Sequence, residues 1–238
     1  MPKAVRELAV LAAAIVVLSG CAERPENVAI GEIMTPGNTQ VPLPPGEWKL
    51  LATENIRAGN LLGGGINNDT SVRTYYAKIE NGRIVQTIYV NTSSGALSSH
   101  GYVTGADCVR TAPSDFIYFA DTRSAAPNAI DCVKVTGDRV FNPPSRTSSD
   151  IYRQAYDSAK AYGGLPRYGV RVEIAQAHGQ RFGDYYITFF PDQSAAQTRS
   201  SDWRVDDMTP AHRDFANGVI EWAKTFRDVV RLGTDYRL

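Results

Sequence analysis

The run Tyr185-Tyr186-Ile187-Thr188-Phe189-Phe190 constrains the fold of this chain more than any other stretch. At the two-residue period of a strand it puts Tyr185, Ile187 and Phe189 on one side and Tyr186 and Phe190 on the other. Both faces then need cover, so the strand must lie in a sheet with at least one helix packed on it. The carboxy-terminal segment supplies that helix. Phe215, Val219, Trp222, Phe226 and Val229 or Val230 recur at spacings of four, three, four and three or four, the repeat of an amphipathic helix. Thr209 before Pro210 reads as its amino-terminal cap and Gly233 as its stop. Burying such a stripe contributes about 1.5 to 3 kcal/mol per large side chain before entropic costs.

Other segments add strands. Val170, Val172 and Ile174 alternate with Arg171 and Glu173, the pattern of a strand with one wet face. Its expected partner is the strand at Tyr185, reached through a turn over Gly179 to Gly183. Val72 to Ile79 and Arg83 to Asn91 flank Asn81-Gly82, a strong hairpin signal because both residues tolerate the positive φ of a type I′ turn. Glu47 to Ala52, Phe116 to Ala120 and Cys132 to Thr136 read as further strands, the last extending through Arg139-Val140-Phe141. Asn142-Pro143-Pro144 breaks this β-rich half, and Ser148 or Ser149 can cap a helix from Asp150 to Tyr162. Ile151, Ala155, Ala159 and Tyr162 share one face of it, and Gly163-Gly164 ends it. The expected fold class is α+β: an antiparallel sheet of hairpins packed against a long carboxy-terminal helix and a shorter mid-chain helix. Residues 47–238 are read as a single domain. A split near Asn142 would leave roughly 100 residues on each side with one strong helix between them, which favours a shared core.

The amino terminus speaks to location. Lys3 and Arg6 precede the uncharged stretch Leu8 to Val17, which has the length of a signal-peptide core and falls short of the roughly 20 residues that span a bilayer. Leu18-Ser19-Gly20-Cys21 follows, and it resembles the lipobox of bacterial lipoproteins at all four positions. The resemblance implies a signal peptide over residues 1–20 and lipidation of Cys21 as the first mature residue. Two or three acyl chains, at about 0.8 kcal/mol per buried methylene, anchor a protein stably where one does not. Two other readings stand beside it: a plain signal peptide cleaved near Ala22, and an amino-terminal helix, which an all-round apolar stretch suits poorly. Ala22 is not the aspartate linked to inner-membrane retention in enteric bacteria, so the periplasmic face of the outer membrane is expected. Residues 21–46 hold Pro25, Pro36, Pro42, Pro44 and Pro45 and read as a tether, at about 3.1 Å per residue if polyproline-like. Its end, Val41 to Pro45, could instead lie along the domain.

If Cys21 carries lipid, Cys108 and Cys132 remain from an odd count of 3 cysteines. In an oxidising compartment they are expected to form a disulfide. Closing that loop removes about 3.5 kcal/mol of unfolded-state entropy on the chain model. Two buried thiols are the other reading. A metal pair is disfavoured, because neither cysteine has a nearby ligand partner.

Signals for chemistry are sparse. The chain has 25 Lys+Arg against 25 Asp+Glu, and loss of Lys3, Arg6 and Glu7 with the signal peptide leaves a net of minus one. Without a basic run, nucleic acid is not an expected partner. Gly63-Gly64-Gly65 lacks the Gly-Lys-Ser/Thr end of a phosphate loop and reads as a plain loop. His100, His178 and His212 stand apart, with no hydrolase or zinc spacing around them. Asp202, Asp206 and Asp207 match no calcium loop and suit the positive end of the following helix. Tyr and Trp side chains could form a saccharide or protein surface. No catalytic residue, metal site or cofactor is nominated. The expected function is a non-catalytic, lipid-anchored envelope protein that binds a partner, such as an envelope protein or the cell wall, or contributes to surface architecture. An envelope hydrolase would need histidines and carboxylates converging in one cleft. A small-ligand or lipid carrier would need an apolar cavity between sheet and terminal helix.

Overall fold

The computed structural model describes residues 31–35, 39–43, 46–57, 70–94, 115–126, 129–139, 141–178, 181–191 and 200–235. Nine strands and two helices lie within them: β1 (Gly31–Thr35), β2 (Thr39–Leu43), β3 (Trp48–Arg57), β4 (Thr70–Glu80), β5 (Arg83–Ser94), β6 (Ile117–Ala126), β7 (Ala129–Arg139), α1 (Asp150–Ala159), β8 (Tyr168–His178), β9 (Arg181–Phe189) and α2 (Pro210–Asp235). Seven strands form one antiparallel sheet in the order β3-β4-β5-β9-β8-β7-β6. The architecture is the expected α+β fold, with hairpin-connected strands and the two expected helices. Strands from both sides of Asn142 share this sheet, because β5 pairs with β9 from Gln86↔Phe189 to Ser94↔Arg181.

Local chemistry explains most of the element ends. Asn81 (φ 51°) and Gly82 (φ 74°) take the two positive-φ positions between β4 and β5, so Glu80 faces Arg83 across a tight hairpin. Helix α1 tightens into a 3₁₀ turn over Lys160–Tyr162 and stops at Gly163, whose φ of 84° suits glycine. Thr209 caps α2: its Oγ1 accepts a hydrogen bond from the His212 amide at 3.2 Å.

Several expectations are corrected. Gly183 lies inside β9 and not in a turn, and the Tyr185 phenol crosses it so closely that a Cβ there would sit 2.5 Å from Oη. Strand β7 ends at Arg139, and the Phe141 amide bonds to the Arg167 carbonyl at 3.4 Å, just past the last ladder pair Arg139↔Tyr168. Helix α2 runs through Gly233 to Asp235, since glycine lowers helix propensity without forbidding the conformation. Part of the segment read as tether is folded. Strands β1 and β2 pair as a hairpin, and Leu43 is buried in the core with β2 against α2.

The two faces of the sheet have different cover. On one, Ile88, Val90, Ile187, Tyr185, Val172, Ile174, Val133 and Val135 meet Ala216, Val219, Ala223, Phe226 and Val230 of α2. Trp222 stacks on Phe226 at 4.4 Å and meets the edge of Phe189 at 4.7 Å. On the other face α1 packs over the β3–β4 end, burying Ile151, Ala155 and Ala159 with Ala52, Ala77, Ile84, Phe141 and Phe190. The remainder of that face has no helix on it among the described residues.

One buried cation fastens α2 to the sheet. The Arg227 side chain, 1% exposed, pairs with Asp131 Oδ1 at 2.8 Å and with Asp121 Oδ2 at 2.5 Å. Its Nη2 also donates to the Asp131 carbonyl at 2.9 Å. Removing one member of a buried pair strands the rest without compensation. Because the Asp121 side chain is 45% exposed and can rehydrate, Arg227→Ala should lower the unfolding free energy by about 3 kcal/mol, the low end for such pairs. Denaturant unfolding checks this. Gly218 lies mid-α2 and exposed, with open space where a Cβ would go. Gly218→Ala should therefore stabilise by about 0.5 to 1 kcal/mol, read in the same assay.

Candidate functional site

Period-2 alternation in the central strands sends apolar side chains toward α2 and a second set to the opposite face. From β5 come Thr87, Tyr89 and Asn91, from β9 Asp184, Tyr186 and Thr188, from β8 Arg171, and from β4 Tyr75. With Phe141 they line a cleft of about 310 Å³ beside α1, at the lower end of the range for small-ligand sites.

Strand register builds its floor. Tyr75 lies opposite Tyr89, and Tyr89 opposite Tyr186, so three phenols from neighbouring strands form a row, with ring centroids 4.5 Å and 5.8 Å apart. Such cross-strand aromatic pairs are themselves stabilising. Thr87 and Thr188 face each other beside this row, as do Asn91 and Asp184 on its other side. The wall forms where the chain leaves β7. Phe141 stacks on Tyr152 of α1 at 6.3 Å and an interplanar angle of 11°. The Tyr152 hydroxyl donates to the Asn142 carbonyl at 2.6 Å, tying helix and wall together.

The electrostatics are balanced. The Arg171 guanidinium lies 5.7 Å from the Phe141 ring centre and 6.0 Å from that of Tyr186, a cation held between two π faces. Burial pushes its pKa down, and Tyr75, Tyr186 and Glu173 act against that shift. Asp184 supplies a buried carboxylate to the same cleft. Next along the sheet Glu173 pairs with Lys134 at 3.1 Å, both largely buried. Cation and anion thus alternate across this face, with no excess of either.

The residues singled out in the sequence lie elsewhere or outside the described set. Cys21, Cys108, His100 and Gly63 to Gly65 fall outside it. Cys132 is fully buried on β7 and disulfide-bonded. His178 ends β8, with its backbone opposite Ala129 and Arg181. His212 is buried at the start of α2, its ring 4.6 Å from that of Trp203, a packing position. Asp207 pairs with Arg204 at 3.6 Å, and no group of three or more metal-binding side chains occurs among the described residues. Nor is any described helix long and apolar enough to cross a membrane. Core side chains fill the interval between sheet and α2, so the cleft lies on the face opposite to where a lipid-carrier cavity was expected. Tyr186, Arg171 and Phe141 are placed on strands by the sequence but not brought together by it, and the alternation of Thr87, Tyr89 and Asn91 with Ile88 and Val90 is a usable signal for the rest.

Burial raises the pKa of Tyr75 and Tyr89 above the ordinary phenol value, most strongly for Tyr75, and it raises Tyr185 on the α2 face as well. A phenol whose folded pKa is raised contributes stability that is intact below the unfolded value of about 10 and lost as pH rises past it. The native protein should therefore show fewer phenolates than its 12 tyrosines allow, the remainder appearing only as it unfolds above about pH 10. Phenolate absorbance followed alongside circular dichroism checks this. Complete phenolate formation before unfolding would contradict it.

No protein-family model and no curated protein matches the chain. Among solved structures, gene product SA0254 from Staphylococcus aureus subsp. aureus N315 aligns over 60% of this chain and 81% of its own, at 11% identity and a TM-score of 0.28. At that level the likeness carries no inference about fold or function.

Proposed function

We propose that this chain is a lipid-anchored protein of the cell envelope whose folded body binds a small ligand in the open-face cleft, without turning it over. The observation that carries the binding half is the cleft itself: aromatic faces, a stacked guanidinium, a carboxylate, an amide and two hydroxyls meet in one concavity on a rigid sheet. Aromatic walls with a few placed polar groups are the ordinary make-up of a ligand pocket. The location half rests on the resemblance of Leu18-Ser19-Gly20-Cys21 to a lipobox. Lipid on Cys21 would hold the body at a membrane surface, the periplasmic face of the outer membrane being the expected one. Residues 22–30 and the β1–β2 hairpin would link lipid to domain. The near-neutral charge supports a partner other than nucleic acid.

With Cys21 lipidated, Cys108 is the disulfide partner proposed for Cys132. In an envelope that pairing suits a structural bridge.

Membrane fractionation and intact-mass measurement of the native product test the location. Cys21→Ser is expected to move the protein out of the membrane fraction or leave it unprocessed, while the wild-type mass carries acyl groups and no free thiol. Unchanged membrane association and processing in the variant would overturn the anchor.

A further inference from the structure

We propose that the cleft takes a neutral saccharide, an inference that deepens the binding reading above and rests on it. Three tyrosines in cross-strand register, with Phe141 at the wall, offer apolar surface. Within the same 310 Å³ lie hydroxyls from Thr87 and Thr188, the Asn91 amide, the Asp184 carboxylate and the Arg171 guanidinium. A ligand filling this space must present C–H faces to rings and also offer donors and acceptors around its rim. Sugar rings do both, because each carries apolar C–H patches on its faces and hydroxyls that donate and accept at its edge.

Other ligand classes fit less well. An acyl chain would cover five polar side chains and give them no hydrogen bonds. A quaternary or alkyl ammonium group seeks an aromatic cage, but the protein's own Arg171 already occupies the cation position between Phe141 and Tyr186. A phosphate or polyanion seeks clustered positive charge, whereas this lining holds a single cation, Arg171, and a carboxylate, Asp184. An extended peptide adds to a sheet edge, and the cleft lies over β4, β5, β9 and β8, which are all interior to the seven-stranded order. The cleft would accommodate one or two sugar units, with a longer chain running out over the open face.

Calorimetric titration of the full chain, in a detergent without a sugar headgroup, tests this with maltotetraose, cellotetraose and chitotetraose as probes and adenosine as comparator. Saturable binding of at least one oligosaccharide is expected. Tyr186→Ala should weaken it about tenfold, a change of about 1.4 kcal/mol, and Tyr186→Phe should leave it within about twofold, because the ring and not the hydroxyl makes the contact. Asn91→Ala on the rim should weaken it as well, which keeps the test decisive if Tyr186→Ala fails to fold. Oligosaccharide binding unmoved by the folded cleft variants would overturn the proposal. Adenosine binding that these variants abolish, with no sugar binding, would also overturn it while leaving the cleft as a ligand site. Silence from every probe would defeat the saccharide assignment, and the membrane anchor would still stand or fall on Cys21→Ser.

Discussion

The pairing of β5 with β9 is the contact on which the rest of the molecule depends. It joins residues some ninety positions apart, from Gln86↔Phe189 to Ser94↔Arg181, and without it the chain would hold two smaller sheets, β3-β4-β5 and β9-β8-β7-β6. Each would have two edges and too little apolar area on either face. Joined, they align Ile88 with Ile187 and Val90 with Tyr185 beneath α2, and Tyr89 with Tyr186 on the other side. Core and cleft floor are therefore two faces of one ladder. A one-residue slip in that register would exchange them and bury the polar set, so the core enforces the geometry of the cleft.

Unequal cover of the two faces turns a sheet into a site. Helix α2 covers one side along much of its length and is held by Arg227 through Asp121 and Asp131, on two strands at the β6 edge. The hydrophobic stripe accounts for burial, but stripes slide, and a directional two-carboxylate clamp sets the helix at one position. Helix α1, only 10 residues long, packs chiefly on the β3–β4 end. Phe141, leaving β7 and stacked on Tyr152 of α1, then stands as the wall of a concavity floored by β4, β5, β9 and β8. The cleft thus lies where α1 leaves part of that face to side chains of the central strands.

Balanced charge on the cleft face limits what this polar surface costs the fold. Arg171 is solvated in part by π faces, Glu173 by Lys134, and burial of the phenols keeps them protonated. Isolated charges in such a place would be expensive. Interleaved, they let a polar, half-buried surface sit on the back of an apolar ladder.

Local elements were legible in the residues because their causes are local. Asn81-Gly82 dictates its hairpin, Thr209-Pro210 starts α2, and the 3.6-residue stripe from Phe215 marks the face that α2 buries. The resemblance of Leu18 to Cys21 to a lipobox is likewise a local feature, independent of the fold behind it. Even the demand that Tyr185 to Phe190 be covered on both sides was readable, and it is met by α2 over Tyr185, Ile187 and Phe189 and by α1 over Phe190. Tertiary structure alone decided what became of Tyr186. Whether its face would be core or cleft depended on which strand lay beside β9 and how far α1 extended, and neither is encoded within one strand's alternation. The same holds for Arg227, which reads as an ordinary polar position on a helix until Asp121 and Asp131 arrive from strands about a hundred residues away. Periodicity reports which side chains share a face, whereas the neighbours of that face are set by long-range pairing and packing.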